Sequence, residues 1–180
     1  MKFEDLPQVQ KATIAEKELD KFLMAKGIVP YLPSPGAAHP FDRLCASADK
    51  KNLFVAEVKA KASRTFYPDT GMNVSNYNDY INIRDKYGID VWVFFIDEFR
   101  KQIYGNLLTE LERSIRIEHN GKSLQYPLIQ PDYKGKEIIY FPLVKMIKIC
   151  DLDSEVAESM GELSNRNYEY PTYELNLQGA

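Results

Sequence analysis

The chain has 180 residues, 44% hydrophobic and 27% charged, which suits a single globular domain that buries roughly two-thirds of its unfolded surface without disulfide or metal staples. No run approaches the ~18 apolar residues of a membrane span, and Met1-Lys2-Phe3-Glu4-Asp5 lacks the apolar core of a secretion signal, so a cytoplasmic protein with no membrane partner is predicted. The formal charge of −3 speaks against a nucleic-acid partner only until it is divided: residues 151–180 hold seven acids against Arg166, which leaves the rest at net +3.

In chain order, the spacing of Ala12, Ala15, Leu19, Phe22 and Leu23 predicts a helix from about Val9 to Lys26, stopped by Gly27. Glu16 falls inside its apolar arc, while Lys17, Glu18, Asp20 and Lys21 are expected to point elsewhere. The bland alternative puts Glu16 at the arc's edge, paired with a lysine in solvent. Ile28-Val29-Pro30-Tyr31 reads as a short edge strand, because Pro30 cannot donate to a ladder, and 32–36 as a turn. A second strand, Phe41 to Ala46, carries Asp42. After a polar turn at 49–52 comes Leu53-Phe54-Val55-Ala56-Glu57-Val58-Lys59, apolar on both faces at its start and therefore central.

Residues 60–73 read as a loop with Lys61, Arg64, Phe66 and Tyr67, equipment for holding a phosphate backbone and stacking bases. A solvated surface loop is the alternative. Ser75 is the expected cap of a helix to Tyr87 that buries Tyr77, Tyr80 and Tyr87, with Gly88 as its stop. The near-continuous apolar run Ile89 to Ile96 then predicts a right-handed parallel crossover. Gln102 to Leu108 suits a further strand, Asn120-Gly121 predicts a hairpin, and Glu137 to Phe141 is the expected last strand. Pro142 is expected to start a helix through Ile149, and Val156, Met160 and Leu163 mark a final one. Residues 1–163 are expected to form one domain and 164–180 a weakly ordered acidic tail.

An acid on one strand and Glu-x-Lys closing the next offer only oxygen ligands: the Asp42 and Glu57 carboxylates and the Val58 carbonyl between them. Such ligands suit Mg²⁺ or Mn²⁺ rather than zinc. Cys45, Cys150, His39 and His119 lack zinc-type spacing, and both cysteines read as buried thiols. Asp49-Lys50-Lys51 and Asp132-Tyr133-Lys134 repeat the acid-x-lysine pattern but lie in polar turns. Lys59, on the same strand face as Glu57, is placed to orient a water or stabilise developing charge, and Glu16 to hold a second metal or its waters. Arg43, Lys50, Lys51, Lys59, Lys61 and Arg64 are expected to surround this site with positive field.

On Ala15-Glu16, Phe22 to Gly27, Pro40-Phe41-Asp42 and Phe54-Val55-Ala56-Glu57-Val58-Lys59, followed by a crossover helix and strand, residues 9–108 resemble the PD-(D/E)XK nuclease superfamily, of Holliday-junction-resolvase-like or phage type. The resemblance implies an α/β, restriction-endonuclease-like fold: a central mixed sheet flanked by helices, with an α-β-β-β-α-β core, an added hairpin and C-terminal helices. It implies a Mg²⁺- or Mn²⁺-dependent nuclease acting on DNA. Asp42, Glu57, Val58 and Glu16 would be metal ligands and Lys59 the catalytic lysine. Arg43, Lys61 and Arg64 are expected to contact nucleic acid, and a homodimer is one option for its assembly. No glutamine stands in the crossover helix where some members carry one; Asn76 or Asn78 is the nearest amide. The competing reading is a catalytically inactive module of the same fold that binds nucleic acid or a protein partner.

Overall fold

The computed structural model describes residues 2–33, 39–132, 134–164 and 178–179. Helix α1 (Pro7–Ala25) precedes three strands, β1 (Val29–Tyr31), β2 (Arg43–Ala46) and β3 (Leu53–Lys59). Then come β4 (Asp69–Asn73), α2 (Val74–Tyr87), β5 (Asp90–Asp97), β6 (Gln102–Leu107) and the short α3 (Leu108–Glu112). The hairpin β7 (Ile115–His119) and β8 (Lys122–Tyr126) leads to β9 (Leu128–Pro131), β10 (Glu137–Pro142), β11 (Ile147–Asp151), α4 (Ser154–Glu162) and β12 (Gln178–Gly179). Among the described residues no helix is long and apolar enough to cross a membrane.

The main sheet is mixed, with strand order β1-β2-β3-β5-β6-β11-β12. Its centre follows from β3 and β5, which are apolar on both faces and pair in parallel from Phe54↔Asp90 to Lys59↔Phe95, the connection running through α2. Alternation sends Val55, Val91, Val93 and Phe95 to one core with Tyr80 and Ile83 of α2. Ala56, Val58, Phe94 and Ile96 go to the other, against Leu19 and Leu23 of α1 and Met160 of α4. Each such aliphatic side chain contributes about 1.5–3 kcal/mol on burial, so helices on both faces hold β3 and β5 from two sides.

Several elements depart from the sequence expectation. The last five residues of the expected 60–73 loop form β4, which is buried up to Met72 and pairs antiparallel with β10 in a second, three-stranded sheet. Gly71 makes that pairing possible, since a Cβ there would lie 2.3 Å from the Ile139 carbonyl oxygen. Helix α2 begins at Val74 after Asn73, one residue before the expected cap, and no side chain caps it. Gly88 ends it in the left-handed conformation (φ 63°), as expected. Tyr80 is buried, but Tyr87 is 61% exposed rather than core.

The helix expected from Pro142 does not form. Pro142 closes β10, a single 3₁₀ turn buries Leu143, and 147–151 become β11 on the open edge of β6. Ile147-Lys148-Ile149 also carries period-two alternation, and an unpaired strand edge rewards that reading over the helical one. Strand β10 is therefore not the last. Gln178–Gly179 of the expected tail pair in parallel with β11, whereas 165–177 lie outside the described residues, as do 34–38, where most of the 32–36 turn was expected. The hairpin forms with Asn120 and Gly121 both at positive φ, but as a separate two-stranded sheet.

Candidate active site

The site gathers where β2 begins and β3 ends. Because the two strands pair with Arg43 opposite Ala56, Asp42 just ahead of β2 arrives beside Glu57 and Val58. Two side chains then extend the ladder reciprocally: the Asp42 N–H donates to Glu57 Oε2 at 3.2 Å, and the Val58 N–H donates to Asp42 Oδ2 at 2.8 Å. Glu57 is 4% exposed, and Lys59 donates from Nζ to its Oε1 at 2.6 Å. The same ammonium donates to the Tyr80 hydroxyl at 2.9 Å and lies 5.4 Å from that ring's centre. Glu57, Lys59 and Tyr80 thus share the α2 face, as strand alternation predicts for the first two.

Burial pushes the Glu57 carboxyl up to about 7; Lys59 opposes the shift, and the Asp42 charge adds to it. Tyr80 is driven well above the ordinary phenol range by burial and by the Glu57 charge, so it stays a neutral hydroxyl against both side chains. Glu16 approaches from the opposite face on α1. Its carboxyl is raised by burial and then by Asp42, against the pull of Arg43. Glu16 and Glu57 therefore each feel the Asp42 charge, from opposite faces of the sheet.

Arg43 does not face an open surface, contrary to its expected role as a nucleic-acid contact. It is 5% exposed and donates twice to Asp20 at 3.0 Å, to Glu16 Oε2 at 3.1 Å and to the Asp42 carbonyl at 2.8 Å. Its donors are spent on fixing α1 to β2. Asp20, expected to point elsewhere, lies one turn beyond Glu16 on the same helix face, a signal the i,i+4 rule already contained. Arg64 is similarly engaged: it grips Asp69 with two bonds of 2.5 Å, reaches Gln130, and packs 3.8 Å from the centre of the Tyr140 ring and 4.4 Å from that of Tyr67. Lys61 lies 5.8 Å from the Tyr140 ring centre and lines the cleft. The expected positive field is also thinner than the count of bases implies, since Lys50 and Lys51 flank the start of β3, about 20 Å from its Lys59 end at 3.3 Å per residue.

Two cavities meet at these residues. One of about 700 Å³ opens on the α1 side and is lined by Lys11, Glu16, Asp42, Glu57, Lys59, Lys61 and Glu98 among others. A smaller one of about 270 Å³ lies on the α2 side, with His39, Asn76, Asp79 and Tyr80 joining Asp42, Glu57 and Lys59. Of the two candidate amides at the start of the crossover helix, Asn76 lines the site and Asn78 does not. Tyr80 was read as core, and it is core by burial; only the fold shows that its hydroxyl meets Lys59. Lys11 and Glu98 carry no sequence signal, because they lie 48 and 39 residues away from Lys59 along the chain and meet only through the sheet and α1.

The donor set is all oxygen and fits a hard divalent cation. Among the described residues no group of three His, Cys, Asp or Glu side chains is gathered closely enough to hold a metal. Asp42 and Glu57 make a two-carboxylate set, the number with which Mg²⁺ is commonly held alongside waters and substrate phosphate. The Asp132 and Asp49 carboxylates, by contrast, accept backbone N–H groups within their own turns.

No protein-family model and no curated protein matches the chain. A similar solved structure is Hjc, a Holliday junction resolvase from the archaeal hyperthermophile Archaeoglobus fulgidus, with a TM-score of 0.47 and 15% identity over 81% of this chain and 98% of that chain.

Proposed function

We propose that this protein is a divalent-metal-dependent nuclease that hydrolyses phosphodiester bonds of DNA, with a restriction-endonuclease-like core formed by α1, β1 to β3, α2 and β5. The observation that carries the reading is the buried Glu57, held between Asp42 and Lys59 at the mouth of a cleft and raised to about 7. A carboxylate desolvated beside a second acid is costly to leave uncompensated, and such groups concentrate at working sites.

Asp42 and Glu57, with the Val58 carbonyl, would hold Mg²⁺ or Mn²⁺, and Glu16 a second ion or its waters; such a cation would supply charge neutralisation at a phosphodiester oxygen and a lowered pKa for its water. The chain's own residues do the rest. Lys59 Nζ, fixed by Glu57 and Tyr80, presents N–H donors where negative charge develops on phosphorus-bound oxygen. Arg43 sets the height of Asp42 by holding its carbonyl. The large cleft is lined by four carboxylates against three ammonium groups, so it repels a polyanion until a cation reverses the balance.

The test is incubation with single-stranded, duplex and four-way-junction DNA in Mg²⁺ or Mn²⁺. We expect cleavage of at least one, stopped by EDTA and by Lys59→Ala, with Ca²⁺ supporting binding without turnover. One observation favours the inactive-module reading: the Glu57–Lys59 pair is already satisfied in place, at 5% and 18% side-chain exposure. If no substrate is cut under any divalent metal while Lys59→Ala binds DNA as the wild type does, that reading takes over.

A further inference from the structure

The cleft on the α1 side has a second polar wall that the hydrolytic residues do not use. Lys11 donates from Nζ to Glu98 Oε1 at 2.5 Å and to Ser164 Oγ at 2.9 Å, and Ser164 donates to the same Glu98 oxygen at 2.8 Å. The pair is dry, with side-chain exposures of 13% for Lys11 and 2% for Glu98. Among the described residues Glu98 Oε2 is buried without any hydrogen-bond partner. As scaffold this is poor chemistry, because desolvation consumes most of what the attraction returns and an orphaned acceptor adds to the cost. Asp97, one residue earlier, shows what a finished buried carboxylate looks like: Ser63, Phe99, Arg100 and Tyr104 all donate to it.

Position suggests what Lys11 is kept for. Gln8, Lys11 and Glu16 line the cleft from one helix. At 1.5 Å rise per residue, Lys11 stands about 7.5 Å along the axis from Glu16, about two nucleotide steps of a stacked strand at 3.4 Å each. A lysine ammonium on a flexible stem is a point charge that can leave one anion for another. We propose that Lys11, with the Gln8 amide and the Ser164 hydroxyl beside it, is a subsite for a backbone phosphate flanking the hydrolysed bond, Glu98 being the counter-ion that Lys11 exchanges for that phosphate. The inference rests on the nuclease reading and extends it to the path of the strand along α1.

The measurement is anisotropy of labelled single-stranded and duplex oligonucleotides with the full chain in Ca²⁺, from about 50 to 200 mM salt. Lys11→Ala should weaken binding about five- to tenfold at the low end and reduce the slope of log K against log salt by about 1, with Lys11→Arg restoring the slope. Glu98→Gln removes the competing anion and should tighten binding about two- to fivefold. The second variant is one that misfolding cannot imitate, since an unfolded chain does not bind more tightly. If the cluster is scaffold only, both variants loosen α1 and shift affinity in the same direction with the slope unchanged, and the subsite is overturned. A wild type that binds no oligonucleotide overturns the nuclease reading together with the subsite; a wild type that binds, with a Lys11→Ala slope like its own, overturns the subsite alone.

Discussion

Two acidic side chains face bases in this molecule under very different terms. Asp69, fully buried, accepts two bonds from Arg64 and one from the Tyr126 hydroxyl at 2.6 Å, and Arg64 packs against the Tyr67 and Tyr140 rings. That cluster is closed: each carboxylate oxygen meets a donor, and the guanidinium packs against two aromatic rings. At the end of β3, Asp42, Glu57 and Glu16 crowd around Lys59 and Arg43, and burial leaves Glu57 raised to about 7. Both regions contain an ion pair in a dry setting, and the second adds surplus negative charge with a cleft in front of it. An ion pair by itself says little about function; an unbalanced one beside a cavity says more.

The largest expected break in the comparison is catalytic. Lys59→Ala should lower the cleavage rate by about 10²–10³-fold, the usual cost of removing one donor to developing charge, while a urea titration finds the protein still folded. Asp69→Asn should do the reverse. It leaves Arg64 poorly compensated against two tyrosines and should cost on the order of 3 kcal/mol in urea, with activity per folded molecule retained. A Lys59→Ala protein that unfolds as readily as Asp69→Asn would erase the distinction between the two clusters.

Metal removal sharpens it. With Mg²⁺ or Mn²⁺ at about 100 times its Kd the wild type should gain about 2.7 kcal/mol over EDTA, and Asp42→Asn should lose that gain. In EDTA the same substitution relieves like-charge crowding and should raise the melting temperature, by about 2–4 °C for each kcal/mol relieved. Asp42 makes no salt bridge among the described residues, so no buried base is stranded by the change. A lower melting temperature in EDTA, with no metal-dependent shift in the wild type, would sink the metal assignment.

The pH dependence has a definite sign. Glu57 binds its proton more tightly folded, near 7, than unfolded, near 4.5, so it contributes stability that is fully present below pH 4.5 and lost as pH rises through 7. Metal-free wild type should lose on the order of 2–3 kcal/mol across that window, and Glu57→Gln should flatten this part of the curve. Asp69→Asn should keep the slope while lying below it. The smallest effect belongs to Tyr80→Phe, which removes one hydroxyl from Lys59 and should cost about 1 kcal/mol of stability. A shift in the pH–rate profile of that variant, read by initial rates, marks Tyr80 as positioning the lysine rather than only filling the core.

Much of this architecture was determined by local pattern. Period-two alternation over Leu53 to Lys59 dictated which side chains share a face with Glu57, and the apolar run of β5 required a parallel partner covered on both sides. Gly88 and Asn120-Gly121 stop and turn the chain through conformations that few other residues adopt. Tertiary structure decided what depends on partners distant in sequence. Residues 147–151 became β11 because β6 offered an open edge, and 69–73 became β4 because Gly71 admits the β10 backbone. The roles of the bases were settled in the same way. Arg43 and Arg64 look like the charged equipment of an open surface until Asp20 and Asp69, 23 and 5 residues away, are brought against them. Lys11 reached the cleft because α1 lies across the end of β5, where Glu98 waits 87 residues further on. Local preference is written in the spacing of neighbouring side chains, whereas the partner that neutralises a charge is chosen only when the sheet has closed and its helices have docked.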